Sequence, residues 1–129
     1  MPFDVVLADL KSIYQIRSDQ TPFFTSRLTE ADIQRWTASL GVSRAALYDQ
    51  IAIHLARAFY NSELTFAFCD AVVNDIHGVI TGANEELPDL FWSVYLAFDE
   101  GEYYHNNNRD EDPIEIYTRP QIAEIIESH

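Results

Sequence analysis

Apolar residues recur at intervals of three and four along almost the whole chain, in short segments closed by glycine, proline or polar clusters. This period constrains the chain to a stack of short amphipathic helices. In the first segment Phe3, Val6, Leu7, Leu10, Ile13 and Tyr14 are separated by Asp4, Asp9, Lys11, Ser12 and Gln15, which predicts a helix over roughly 3–18. After a polar stretch with Pro22, Thr29 and Asp32 form a capping pattern that opens a second helix with Ile33, Trp36 and Leu40 on its apolar face. Gly41 stands where a left-handed C-cap closes that helix, and Ser43 caps the next.

A third helix over about 44–60 aligns Leu47, Ile51, Leu55, Ala58 and Phe59. Asn61 and Ser62 offer a break and a new cap before a fourth segment, Glu63 to His77, that is apolar nearly all round; Gly78 and Gly82 then loosen the chain. Such a helix is central in the fold or covered by a partner. A fifth helix over about 88–100 turns Leu90, Phe91, Val94, Ala97 and Phe98 to one side, leaving Trp92, Tyr95 and Leu96 off the main stripe. Residues 101–113 have turn formers and charge but no period, and read as an exposed loop. Ile114, Ile116 and Tyr117 suit a short extended piece, and Thr118 with Gln121, followed by Ile122, Ile125 and Ile126, suits a capped terminal helix. The expectation is an all-α fold, a single-domain bundle or orthogonal array of about six helices across residues 1–129, with at most one short strand near 114–117. With 129 residues the chain buries about two thirds of its extended surface, enough for a core without staples.

Charge narrows the function. The net charge is −13, and it is uneven: residues 1–84 carry 9 acids and 6 bases, whereas 85–129 carry 12 acids and 2 bases. Nucleic acid and anionic membranes are both poor partners for such a surface, because each is held by clustered Lys and Arg. Cys69 is the one cysteine and excludes an internal disulfide. The N-terminal residues lack the basic start of a secretion signal, and no apolar run approaches the ~20 residues of a membrane span. The expectation from these features is a cytoplasmic protein.

Three groups of residues carry candidate chemistry. Residues 29–57 resemble a helix-turn-helix layout, with Arg44, Tyr48 and Gln50 at the start of a recognition helix and Arg35 and Arg57 nearby. Against this, the field of the whole chain repels DNA. Glu63, Asp70, Asn74, His77 and Thr81 fall within an arc of about 60° on the fourth helix, so Asp70 and His77 suit either an acid–base or metal pair or a merely solvated stripe. Cys69 and His54 read as packing residues. Asp99, Glu100, Glu102, Tyr103 and Tyr104, continued by Asp110, Glu111 and Asp112, combine carboxylates with tyrosines, a composition suited to Arg and Lys side chains of a partner. The run lacks the glycine and glutamate positions of a calcium loop. Trp92, Tyr95 and Leu96 form a candidate homodimer patch.

No catalytic set, cofactor motif or metal site is read. The expectation is a non-enzymatic acidic protein that binds a basic protein, as an inhibitor, antitoxin or immunity-like neutraliser. A DNA-binding regulator and a divalent-metal enzyme are the alternatives.

Overall fold

The computed structural model describes residues 3–14 and 27–129. Among these are six α-helices and no strand: α1 (Phe3–Ile13), α2 (Glu30–Leu40), α3 (Arg44–Tyr60), α4 (Phe66–Gly82), α5 (Asp89–Glu100) and α6 (Arg119–Ser128). A 3-10 turn at His105–Asn107 and a π-helical turn at Ile114–Thr118 interrupt the connection from α5 to α6. No helix is long and apolar enough to cross a membrane.

The helix ends follow local chemistry. Thr29 donates its backbone N–H to Asp32 Oδ2 at 2.8 Å at the start of α2, and Gly41 ends that helix at φ 67°. Ser43 accepts the Ala46 N–H and Thr65 the Phe68 N–H, each at 3.1 Å, opening α3 and α4. Pro88 has no side-chain donor or acceptor for capping, so the start of α5 is served from another helix: Asp49 of α3 accepts the Phe91 N–H at 2.9 Å. That bond fixes where α5 enters the bundle.

Helix α3 is the axis of the packing. Leu47, Tyr48, Ile51, Ala52, Leu55, Ala56 and Phe59 are all buried, and α3 touches α2, α4, α5 and α6. Phe59, Phe66 and Phe98 close the lower core with ring centroids 5.3–6.4 Å apart. Helix α1 is tied to α4 by the Tyr14 hydroxyl, which donates to Asp75 Oδ2 at 2.6 Å and accepts the Leu28 N–H. It is tied to α2 by Asp9, whose Oδ2 accepts both Trp36 Nε1 at 2.8 Å and Arg35 at 3.0 Å.

Four local expectations are corrected. Ser62 does not cap the fourth helix; it sits at φ 62°, and Thr65 is the cap. Gly78 and Gly82 lie inside α4 rather than beyond it, because the ladder continues through them. Ile114–Tyr117 are π-helical, not extended. Thr118 is itself helical at φ −68° and caps nothing, since its Oγ1 is committed to the Ala97 carbonyl of α5 at 2.7 Å. Of the expected first helix, residues 15–18 lie outside the described residues.

Candidate functional site

Helices α4 and α5 lie side by side, and their outward rows make one surface. From α4 come Asp70, Asn74 and His77, one helical turn apart; from α5 come Trp92, Tyr95, Leu96 and Asp99 at matching intervals. The rings form a stepped stack: His77 lies 4.4 Å from Tyr95 at an interplanar angle of 13°, and Trp92 lies 5.4 Å from Tyr95, also at 13°. Trp92 and Leu96 are 37% and 38% exposed, although Phe91, Val94, Ala97 and Phe98 of the same helix are fully buried.

Carboxylates gather at the end of this row. Just past Gly101 the chain returns Glu102 to α4, where Asn74 Nδ2 donates to Glu102 Oε2 at 2.9 Å and to the Asp70 carbonyl at 2.8 Å. Asp70 Oδ1 is buried with no hydrogen-bond partner among the described residues. Burial first, then the hydrogen bond and charge of Glu102, push the Asp70 carboxyl up to about 8. Burial and the charges of Glu102 and Glu100 raise Asp99 as well, against a lowering by His77. Burial, followed by Asp99, Glu102 and Asp70, raises the Tyr95 phenol. None of the ion pairs among the described residues includes Asp70, Asp99 or Glu102.

Beyond Glu102 the acidic run divides. Tyr103 is 52% exposed, and His105 stacks on it at 4.4 Å and on Tyr117 at 3.7 Å. His105 Nε2 also meets the Glu100 carbonyl at 2.9 Å, which ties the loop to the end of α5. The ring of Tyr104 is covered by the loop's own Arg109, 5.0 Å above it. Glu111 is hydrogen-bonded by Asn108, and Asp112 Oδ1 accepts the Ile114 N–H at 3.0 Å. Asp112 borders a separate hollow with Leu64, Thr65 and Phe66. Asp110 is exposed, with its N–H on Asn108. The eight acidic and tyrosyl candidates therefore split between the α4–α5 end and the loop.

The other candidates are occupied. Arg44 pairs with Glu30 and, at 2.9 Å, with Glu85, and the buried Tyr48 donates its hydroxyl to Glu85 at 2.8 Å. Arg44 and Tyr48, two of the three residues expected to read bases, therefore knit α2, α3 and the α4–α5 connection together. Glu63 precedes α4 and does not continue its polar row. Asp70 and His77 are about 10 Å apart along the helix, and His77 is held against Tyr95. Among the described residues no three His, Cys, Asp or Glu side chains converge to hold a metal ion. Cys69 is buried, with its Sγ 3.7 Å from the Leu55 carbonyl and its thiol raised by burial. His54 is exposed and stacks on Phe3 at 4.3 Å.

Comparison of the chain with protein families, with characterised proteins and with solved structures finds no match. The geometry alone carries the functional argument. Sequence reasoning separated the α4 polar row, the α5 aromatic patch and the start of the acidic run. Their union depends on the α4–α5 packing and on Asn74 reaching Glu102, neither of which has a sequence signature.

Proposed function

We propose that this chain is a non-enzymatic interaction protein of the cytoplasm that binds and neutralises a basic protein, with the α4–α5 surface as its principal contact. One observation carries the reading: Asp99 and Glu102 border the half-buried Tyr95 ring, next to the exposed Trp92 and Leu96, while Arg35, Arg44 and Arg119 are all paired with acids elsewhere. The surface keeps its negative potential for a cation from outside. Steering by that potential accelerates encounter, and the Trp92–Leu96 row supplies apolar contact area. Burying that row against a second copy instead would bring two chains of −13 together.

The test is affinity capture from the native host with two baits. One is the wild type; in the other Asp99, Glu100, Glu102, Asp110, Glu111 and Asp112 carry amides. The expected result is a basic protein held by the wild type alone, with an association rate that falls about tenfold or more as salt rises. A partner that binds both baits equally, or without salt dependence, refutes the proposal.

A further inference from the structure

We infer that the α5 row from Trp92 to Asp99 is shaped to receive an arginine side chain of the partner; this rests on the basic-partner reading and specifies its chemistry. The aliphatic stem covers Leu96, the guanidinium lies against the Tyr95 and Trp92 rings, and its N–H groups fork to Asp99 and Glu102.

The chain's own arginines supply the template. Arg119 lies 4.7 Å over Phe59 while its Nε donates to Glu115 at 3.1 Å. Arg35 lies 5.7 Å over Trp36 while pairing with Asp9 and Asp32. In each case a guanidinium joins an aromatic face to a carboxylate. The α5 row repeats the aromatic and acidic parts of that arrangement, and no arginine among the described residues completes it. A planar guanidinium stacks on rings and forks to carboxylates, whereas an ammonium is a strongly hydrated point charge that does only the second.

The platform is already set. His77 of α4 holds Tyr95, and Trp92 follows the same plane, so little ring freedom remains to be lost on binding. Asn74 likewise holds Glu102 in place. The acids that border the rings set the sign of the occupant. A second copy of this chain would place its own Asp99 and Glu102 at the same margin, and like charges oppose that contact.

The experiment titrates the full chain with two capped peptides, Gly-Ser-Arg-Gly-Arg-Gly-Ser and its lysine counterpart. It follows the indole N–H resonance of Trp92, with the buried Trp36 as internal reference. The arginine peptide is expected to shift Trp92 and to bind about 5- to 10-fold more tightly than the lysine peptide. Trp92→Ala, a change at an exposed position, is expected to lower arginine binding to the lysine level. Asp99→Asn with Glu102→Gln is expected to weaken both peptides. Equal affinities with an unmoved Trp92 overturn the arginine assignment and leave the basic-partner reading standing. Failure of both peptides at low salt overturns the two together. A concentration-dependent dimer abolished by Trp92→Ala makes a second copy the occupant and overturns the assignment as well.

Discussion

Gly101 is a glycine because of Thr118: a β-carbon at position 101 would lie 2.3 Å from the Thr118 Oγ1 and 2.7 Å from the Phe66 ring. The threonine cannot withdraw, since its hydroxyl donates to the Ala97 carbonyl, one of the carbonyls at the end of α5 that lack a helical partner. This contact anchors α6 to the same turn that carries Asp99 and Glu102. Gly101→Ala is expected to cost about 1–3 kcal/mol through overpacking, and Thr118→Val a similar ~1–3 kcal/mol by leaving the Ala97 oxygen unpaired. The double variant is expected to cost less than the sum, because each change disturbs the same contact. Urea unfolding of the three variants measures all of these.

Local signals carried most of the fold. Gly41 and Ser43 mark the α2–α3 corner by chemistry that acts within a few residues, and the 44–60 periodicity coincides with α3. The errors fall where a distant residue overrules the local pattern. Thr118 resembles a cap, but Ala97 takes its hydroxyl. Pro88 leaves α5 uncapped, and Asp49, 42 residues from the Phe91 N–H that it accepts, takes over. The surface was legible in the same uneven way. Trp92, Tyr95 and Leu96 stand out because they lie off the apolar stripe, and the acids stand out by composition. The link from Asn74 to Glu102 spans 28 residues and exists only once α4 and α5 have packed.

Asp70 should make the protein less stable as pH rises. Its carboxyl titrates at about 8 in the folded chain against an ordinary 3.8. Between these values the folded chain therefore holds a proton that the unfolded chain has released. Stability from this group is lost progressively across that window and levels off above it. Asp99, raised in the same direction, adds to the slope at its lower end. Asp70→Asn removes the largest part of it. Thermal melts from pH 4.5 to 8.5 are expected to fall for the wild type and to run flatter for Asp70→Asn, with the variant gaining several degrees at the alkaline end. Parallel curves would refute the assignment.

Arg44 and Glu85 should behave as a structural pair rather than as a nucleic-acid contact. The guanidinium and the carboxylate are each only about a quarter exposed, and the Tyr48 hydroxyl shares the Glu85 carboxylate. Glu85→Gln leaves Arg44 with its exposed partner Glu30, whereas Glu85→Ala also strands the Tyr48 hydroxyl. The expected losses are a few tenths of a kcal/mol for the amide and about 1–3 kcal/mol for alanine. A double-mutant cycle between Arg44→Met and Glu85→Ala is expected to give a coupling of about 0.5–2 kcal/mol. Removing Arg44 is expected to leave retention on a DNA column unchanged.

Cys69 offers a direct reading of global opening. Its thiol is fully buried in α4 against α3, within 3.7 Å of the Leu55 carbonyl, and burial together with the neighbouring Asp70 charge disfavours the thiolate. Reaction with a disulfide reagent requires both exposure and deprotonation, so the folded chain should resist it. Cys69 lies in the first turn of α4, but Phe68, Val72 and Val73 are buried with it, so exposing its thiol means drawing that turn out of the core. Labelling with a chromogenic disulfide at pH 8 is therefore expected to proceed at the rate of global unfolding and to accelerate with urea as the unfolding rate does. Gly101→Ala, placed at the far end of α5, should speed it by the same factor as it speeds global unfolding. Rapid labelling of the wild type in water would mean that α4 separates from α3 without the rest of the bundle, and the α4–α5 surface would then be assembled only part of the time.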